Sequence, residues 1–190
     1  MGQAALSGLQ NHQVITASRS GKGTDYTVDI TDETSIRTLF ESVGEFDAVV
    51  NTVGVCEYAP FTEMTEEQWM STVMSKQMGQ IKLVKIGTEY IRDKGSFTLI
   101  TGILNVKPIP FAVADAVTSG AIDTFVKVVA FELPRCLRIN SVNPTVLASA
   151  WEVYGEMLPG FEPVDDKLVG KAFERSVDGF ISGQVLYVDA

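Results

Sequence analysis

Histidine is nearly missing from this sequence: His12 is the only one in 190 residues. Catalytic triads that need a histidine base further along the chain, and His-rich metal centres, therefore have no material, and no metal site is expected. His12 itself, in a turn ahead of a strand-forming run, reads as a solvated loop residue. Cysteine is scarce as well. Cys56 and Cys136 are too few for a disulfide framework and read as reduced thiols, the state usual in a cytoplasm. Positive charge is in deficit, with 15 Lys and Arg against 24 Asp and Glu and a formal net charge of -9. That balance leaves no electrostatic footprint for nucleic acid or an anionic membrane. No apolar run approaches the roughly 18 residues that would span a bilayer. The N-terminal MGQAALSGLQ lacks the basic start and apolar centre of a signal peptide. Internal repeats, low-complexity tracts and linkers are also missing. One cytoplasmic domain covering residues 1–190 is expected.

What is present alternates between strand and helix. The runs 13–18 and 24–30 are β-rich, and Thr31 or Asp32 can cap a helix whose stripe is Ile36, Leu39, Phe40 and Val43. The run 46–54 reads as a buried strand ending in a glycine turn. Thr65 and Gln68 fit a capping box that opens a long helix, with Met70, Val73, Met74, Ile81 and Val84 on one side and Gly95 as its stop. A strand over 95–101, a helix over about 113–133, a strand over 137–144, a short helix over 166–177 and a strand over 183–188 complete the order. Apolar strands separated by helices predict a parallel sheet covered on both faces, hence a doubly wound three-layer α/β/α fold. Ligands of such sheets bind beyond the carboxyl ends of the strands. That places Ser18–Arg19, Asp29–Ile30, Asn51–Gly54, Thr101–Gly102 and Pro144–Val146 around one cleft.

Five motifs then fall in order along nearly the whole chain: Asn51-Thr52-Val53-Gly54, Val28-Asp29-Ile30-Thr31-Asp32, Trp69 with Gly79 ten residues on, Arg138 to Pro144, and Gly183 to Asp189. Together they resemble the short-chain dehydrogenase/reductase family. The resemblance implies a Rossmann-type dinucleotide site that uses Ser18, Arg19, Asp29, Ile30, Asn51, Thr52, Val53, Gly54, Pro144 and Val146. Gly2 resembles the last glycine of the family's phosphate-binding turn. The family's first strand and the other glycines of that turn are not in this sequence, and a sheet without its central strand would expose its neighbours' edges. A longer physiological N-terminus is the expectation. A form lacking that strand is expected to bind cofactor poorly or not at all.

The family's chemistry rests on a tyrosine acid/base, a lysine four residues later that lowers its pKa, a serine and an asparagine. Here the tyrosine position falls on Asp115, the lysine position on Ser119, the serine position on Gly102 beside Thr101, and the asparagine position on Lys76. Three readings are open. Catalysis has been lost; or Asp115 acts as a base with Lys76 as charge partner and Thr101 as hydrogen-bond donor; or hydride transfer persists through binding and orientation, with solvent supplying the proton.

The strand ending Ala17-Ser18-Arg19 carries no acid until Asp25, so NADP is favoured over NAD if a dinucleotide binds. Arg19 could equally be a plain surface cation, and Asp29 a helix cap. Cys56 has no histidine to activate it and reads as a buried structural thiol. Trp151, Tyr154 and Phe161 lie where the family covers its substrate. The two long helices carry surplus apolar residues such as Val128 and Phe131, and the resemblance implies a homodimer or homotetramer through them. Two function classes follow: an NADP-dependent oxidoreductase on a small carbonyl or alcohol, or a non-catalytic relative that binds a nucleotide or a partner protein.

Overall fold

The computed structural model describes residues 1–189. In chain order the elements are α1 (Gly2–Gly8), β1 (Ala17–Ser18), β2 (Tyr26–Thr27), α2 (Glu33–Val43), β3 (Phe46–Val50) and α3 (Glu66–Thr72). A π-helical segment (Val73–Met78) leads from α3 into α4 (Gly79–Gly87). Then come β4 (Ile91–Ile100), α5 (Val113–Val129), β5 (Arg138–Pro144), a short α6 (Trp151–Tyr154), α7 (Asp166–Asp178) and β6 (Gln184–Val188). β3, β4, β5 and β6 lie side by side in that order, all parallel. β1 and β2 form a separate parallel pair.

The helices start where side chains satisfy their first amides. Asp32 caps α2 by accepting from Thr34 N at 2.9 Å. Thr65 and Gln68 close a reciprocal capping box at 3.2 and 3.0 Å. Asp165 caps α7 through Lys167 N at 2.9 Å. Both faces of the four-stranded sheet are covered, as a parallel sheet requires. On one face Val142 and Leu186 pack with Val169 and Phe173 of α7 and with Ala4 and Ala5 of α1. On the other, Phe97, Leu99 and Ile139 pack against Ile122 and Val126 of α5 and Val84 of α4. A third cluster seats Val28 and Ile30 with Ile36 and Phe40 of α2 and Leu83 and Ile86 of α4. α1 and α7 cross closely: a Cβ on Gly8 would stand 2.0 Å from the Gly170 carbonyl oxygen.

Several boundaries differ from the sequence reading. The first two strands shrink to two residues each, because β1 and β2 pair only with each other. The backbone of Thr16 is instead held by Asp25: its N–H donates to the Asp25 carboxylate at 2.8 Å. The long helix is interrupted by the π segment, whose wider turn shifts the side-chain phase. Met70 and Met74 therefore point to solvent, and the buried line runs through Thr72, Lys76, Gly79, Gln80, Leu83 and Val84. Gly95 is not a helix stop. It lies inside β4, where a Cβ would press to 2.8 Å on the Asp47 carbonyl oxygen of β3. α5 ends at Val129 rather than near 133, in turns ahead of Pro134, which disfavours helical backbone at the residue before it.

Candidate active site

The turn after β3 is closed by its own polar groups. Buried Asn51 donates from its backbone N–H to Thr98 O at 2.9 Å and from Nδ2 to Val53 O at 2.8 Å. Gly54 is there because the Lys76 stem lies on it: a Cβ would meet Lys76 Cα and Cγ at 3.1 Å each. The following loop is laid along the helix, with Val55 N donating to Ser75 Oγ and Glu57 N donating to Thr72 Oγ1, both at 2.9 Å. The consequence is that Cys56 and Tyr58 face Lys76 from one side while α5 faces it from the other.

Asp115, in the first turn of α5, forms an ion pair with the Lys76 ammonium, and both side chains are under 10% exposed (9% and 8%). Ser119 Oγ, one helical turn on, donates to Asp115 Oδ1 at 3.1 Å. Tyr58 Oη donates to Asp115 Oδ2 at 2.9 Å. Burial works to raise the Asp115 pKa; the Lys76 charge, then the hydrogen bonds from Lys76, Tyr58 and Ser119, outweigh it and hold the carboxyl below the usual range. Burial first, and then the Asp115 charge, push the Tyr58 phenol well above its ordinary value. Burial likewise pushes the Cys56 thiol up to about 11, with Lys76 pulling it down and Asp115 pushing it up. Tyr58 is thus a phenol that keeps its proton, the reverse of an activated one.

The geometry brings together three of the four candidate catalytic residues: Lys76, Asp115 and Ser119. Thr101 is not among them. Its hydroxyl donates to Asp123 Oδ1 at 3.0 Å, because Thr101 lies at the end of β4 opposite the third turn of α5. Asp123 anchors a second buried network, also accepting from Ser141 Oγ at 2.7 Å, Asn105 Nδ2 at 2.7 Å and Asn143 Nδ2 at 2.9 Å. Thr101 therefore supports the floor of the site rather than donating into the Asp115 cluster. Reasoning from the sequence missed Tyr58, which sits on an irregular loop with no periodicity to mark it. It also missed Asp123, whose one available signal was a carboxylate eight residues after Asp115 on the same buried stripe.

The candidate cofactor residues line the same end of the sheet. A Cβ on Gly2 would be 3.6 Å from Thr52 Oγ1, so the start of α1 lies against the Asn51–Gly54 turn, whose Val53 is exposed. Ser18 Oγ accepts from Gly21 N and pairs with Thr24 Oγ1, both at 3.1 Å. Arg19 is exposed beside it. Asp29 does not cap α2, a role taken by Asp32. Its Oδ1 accepts from Thr31 N at 2.9 Å and Thr31 Oγ1 at 2.7 Å, and those bonds, helped by the Arg19 and Lys82 charges, hold its carboxyl low. The Ile30 side chain is buried against Gly79 and turns into the core rather than towards a ligand. At the end of β5, Pro144 is buried, and so is Thr145, whose Oγ1 has no hydrogen-bond partner. From half-buried Val146 the covering segment is zipped to itself by a Leu147–Val164 bridge. Trp151 lies over Gly155, Tyr154 is exposed, and Phe161 lines an open depression of about 400 Å³ with Lys107 and Asp189, apart from the Lys76–Asp115 pair. Among the described residues no group of three or more His, Cys, Asp and Glu converges as a metal site, and no helix is long and apolar enough to cross a membrane.

A parallel sheet covered on both faces, with a closed turn and a polar cluster at the carboxyl ends of its strands, defines the Rossmann-like class of α/β protein. A family model described as enoyl-(acyl carrier protein) reductase matches residues 4–190, and the chain belongs to the short-chain dehydrogenase/reductase family of oxidoreductases. The crystal structure of protein lin1944 from Listeria innocua superposes with a TM-score of 0.95 at 42% identity, covering 98% of this chain and 93% of that one. L-xylulose reductase of Bos taurus is 30% identical over 124 residues, 63% of this chain and 51% of its own. A small-chain dehydrogenase crystallised with NADPH shares the fold, with a TM-score of 0.80 at 22% identity, covering 97% of this chain and 90% of that one. The chain spans about half the length of the curated relatives it matches.

Proposed function

We propose that this chain is an NADP-dependent oxidoreductase acting on a small neutral carbonyl or alcohol. The observation that carries the reading is the charge pattern at the ends of β1 and β2. Arg19 is exposed there, and the nearby carboxylate of Asp29 is already engaged by Thr31. An exposed guanidinium whose neighbouring acid is already engaged suits a ribose 2′-phosphate better than a 2′-hydroxyl. The residues present fit such a group elsewhere too. The buried, unpartnered Thr145 Oγ1 at the end of β5 offers a polar contact beside Pro144 and Val146, and the Asn51–Gly54 turn presents exposed backbone next to Gly2. When bound, the cofactor would supply or accept a hydride. The NADPH carried by the small-chain dehydrogenase and the carbonyl chemistry named for L-xylulose reductase support the reading by kinship.

Titration calorimetry with NADPH and NADH, on a chain extended at its N-terminus through the family's first strand, tests it. The expected result is tighter NADPH binding, with the preference removed by Arg19→Ala. A preference that survives Arg19→Ala rejects the assignment to that residue, and no binding of either cofactor rejects the oxidoreductase reading. The second reading, a non-catalytic relative that binds a nucleotide or a partner protein, is favoured by one observation: Lys76, Gly102, Asp115 and Ser119 occupy the four positions of the family's catalytic set. We place the protein in the cytoplasm as a homodimer or homotetramer through α4 and α5, where Val117 and Val128 are exposed and Phe131, just beyond α5, is 92% exposed. A monomeric sedimentation profile at micromolar protein would refute that assembly.

A further inference from the structure

The Asp115 cluster holds several hydrogens, and all but those of one group are committed. Tyr58 Oη donates to Oδ2, and Ser119 Oγ donates to Oδ1. Asp115, held as a carboxylate, has no proton to give. The Cys56 thiol, pushed up to about 11 by burial, is a weak donor. The Lys76 ammonium is the exception. It carries three N–H donors; Asp115 takes one and the Cys56 sulfur meets another, which leaves one without an acceptor among the described residues. An ammonium this deeply buried with a donor to spare calls for an acceptor, since an unmade charged hydrogen bond is costly away from water. The Gly54 turn holds its stem, so the free N–H group has a fixed station beside the turn.

We propose that the Lys76 ammonium is the hydrogen-bond and proton donor to the substrate oxygen, with Asp115, Tyr58 and Ser119 as the positioning residues that hold it. This rests on the oxidoreductase reading above. In the reductive direction the carbonyl carbon receives the hydride and the C=O π pair moves onto oxygen. The oxygen takes a proton from Lys76 Nζ, the N–H bond pair stays on nitrogen, and solvent reprotonates the neutral amine. The balance is carbonyl, reduced dinucleotide and one proton giving alcohol and oxidised dinucleotide. Because the Lys76–Asp115 pair carries no net charge, the site suits an uncharged carbonyl. An anionic group would be drawn to Lys76 and repelled by Asp115 within one contact distance. The exposed ring of Tyr58 and nearby Tyr154 add an apolar wall.

The test, on the same N-terminally extended chain, is NADPH oxidation with cyclopentanone, cyclohexanone and dihydroxyacetone, for the wild type, Lys76→Met, Lys76→Arg, Tyr58→Phe and the double variant Lys76→Met/Asp115→Leu. Lys76→Met is expected to lower kcat by about 10²- to 10⁴-fold, the range for loss of a general acid, with NADPH affinity unchanged. Lys76→Arg keeps a charged hydrogen-bond donor but holds its protons too tightly to release one, so it recovers KM and not kcat. Tyr58→Phe removes one of the bonds that orient Asp115 and is expected to lower kcat by much less than Lys76→Met does. The double variant removes both charges and should fold even if Lys76→Met does not, so a folded and active double variant overturns the proposal. So does a Tyr58→Phe loss as large as that of Lys76→Met. No wild-type turnover on any of the three ketones overturns the oxidoreductase reading and this assignment together. Wild-type turnover that survives Lys76→Met overturns this assignment alone.

Discussion

Asparagine in place of Asp115 would keep the shape of the side chain and remove the only anion among the described residues that pairs with the buried Lys76 ammonium. Both side chains are less than a tenth exposed, so solvent does little to screen the loss. Breaking a buried pair by removing one partner costs about 3–5 kcal/mol, a large share of the roughly 5–15 kcal/mol typical of a native protein. The reverse truncation, Lys76→Met, should cost less, about 1–3 kcal/mol, because the carboxylate keeps Tyr58 and Ser119 as donors while the ammonium in Asp115→Asn keeps no anion. Removing both with Lys76→Met/Asp115→Leu leaves no uncompensated charge and should lie well below the sum of the two single costs. Guanidinium unfolding of the four proteins, with a double-mutant cycle, gives the coupling. Single costs below about 1 kcal/mol, or a strictly additive double variant, would refute the claim that this pair is desolvated. The pH dependence has a definite sign. The folded state holds the Asp115 carboxyl below its ordinary value of 3.8, so between the two values the unfolded chain binds more protons. The pair's contribution is complete above about pH 4 and is lost as the pH falls through the folded value. In Asp115→Asn that acid-side loss should shrink.

Two further expectations follow from the packing and from the thiols. Gly8→Ala drives a methyl into the Gly170 carbonyl across the α1–α7 crossing, where both sides are backbone and cannot swing away; a loss of at least about 2 kcal/mol, or a melting temperature lower by about 4–8 °C, is expected, and an unchanged melting curve would contradict the close crossing. Alkylation by iodoacetamide at neutral pH should modify exposed Cys136 first and Cys56 slowly, since burial holds the Cys56 thiol near 11; equal rates by mass spectrometry would argue against that burial.

The element order and the two-sided parallel sheet were legible in the sequence because caps and apolar periods are local. Thr65, Gln68 and the α5 stripe all behave as their spacing implies. The phase of the α3–α4 helix was not, since a π segment is set by what packs on it, here the Gly54 turn against Lys76. The meeting of Lys76 with Asp115 could be posed from family spacing but not decided, because a separation of 39 residues carries no local signal. That the Thr101 hydroxyl is taken up by Asp123 was not legible either, because Asp123 sits inside a stripe that reads as apolar. Tyr58 could not be found at all, as its reach depends on a loop held by Ser75 and Thr72.

The division of the strands into two sheets also has a colloidal meaning. β3 is hydrogen-bonded on one side to β4, and β1 on one side to β2, so each offers a row of backbone donors and acceptors to whatever extended chain comes near. At neutral pH the formal net charge of -9 keeps copies apart. Near the isoelectric point of about 4.6 that repulsion vanishes while the edges remain. Mild acid is then the condition in which this chain should turn its solution cloudy, well before its core comes apart.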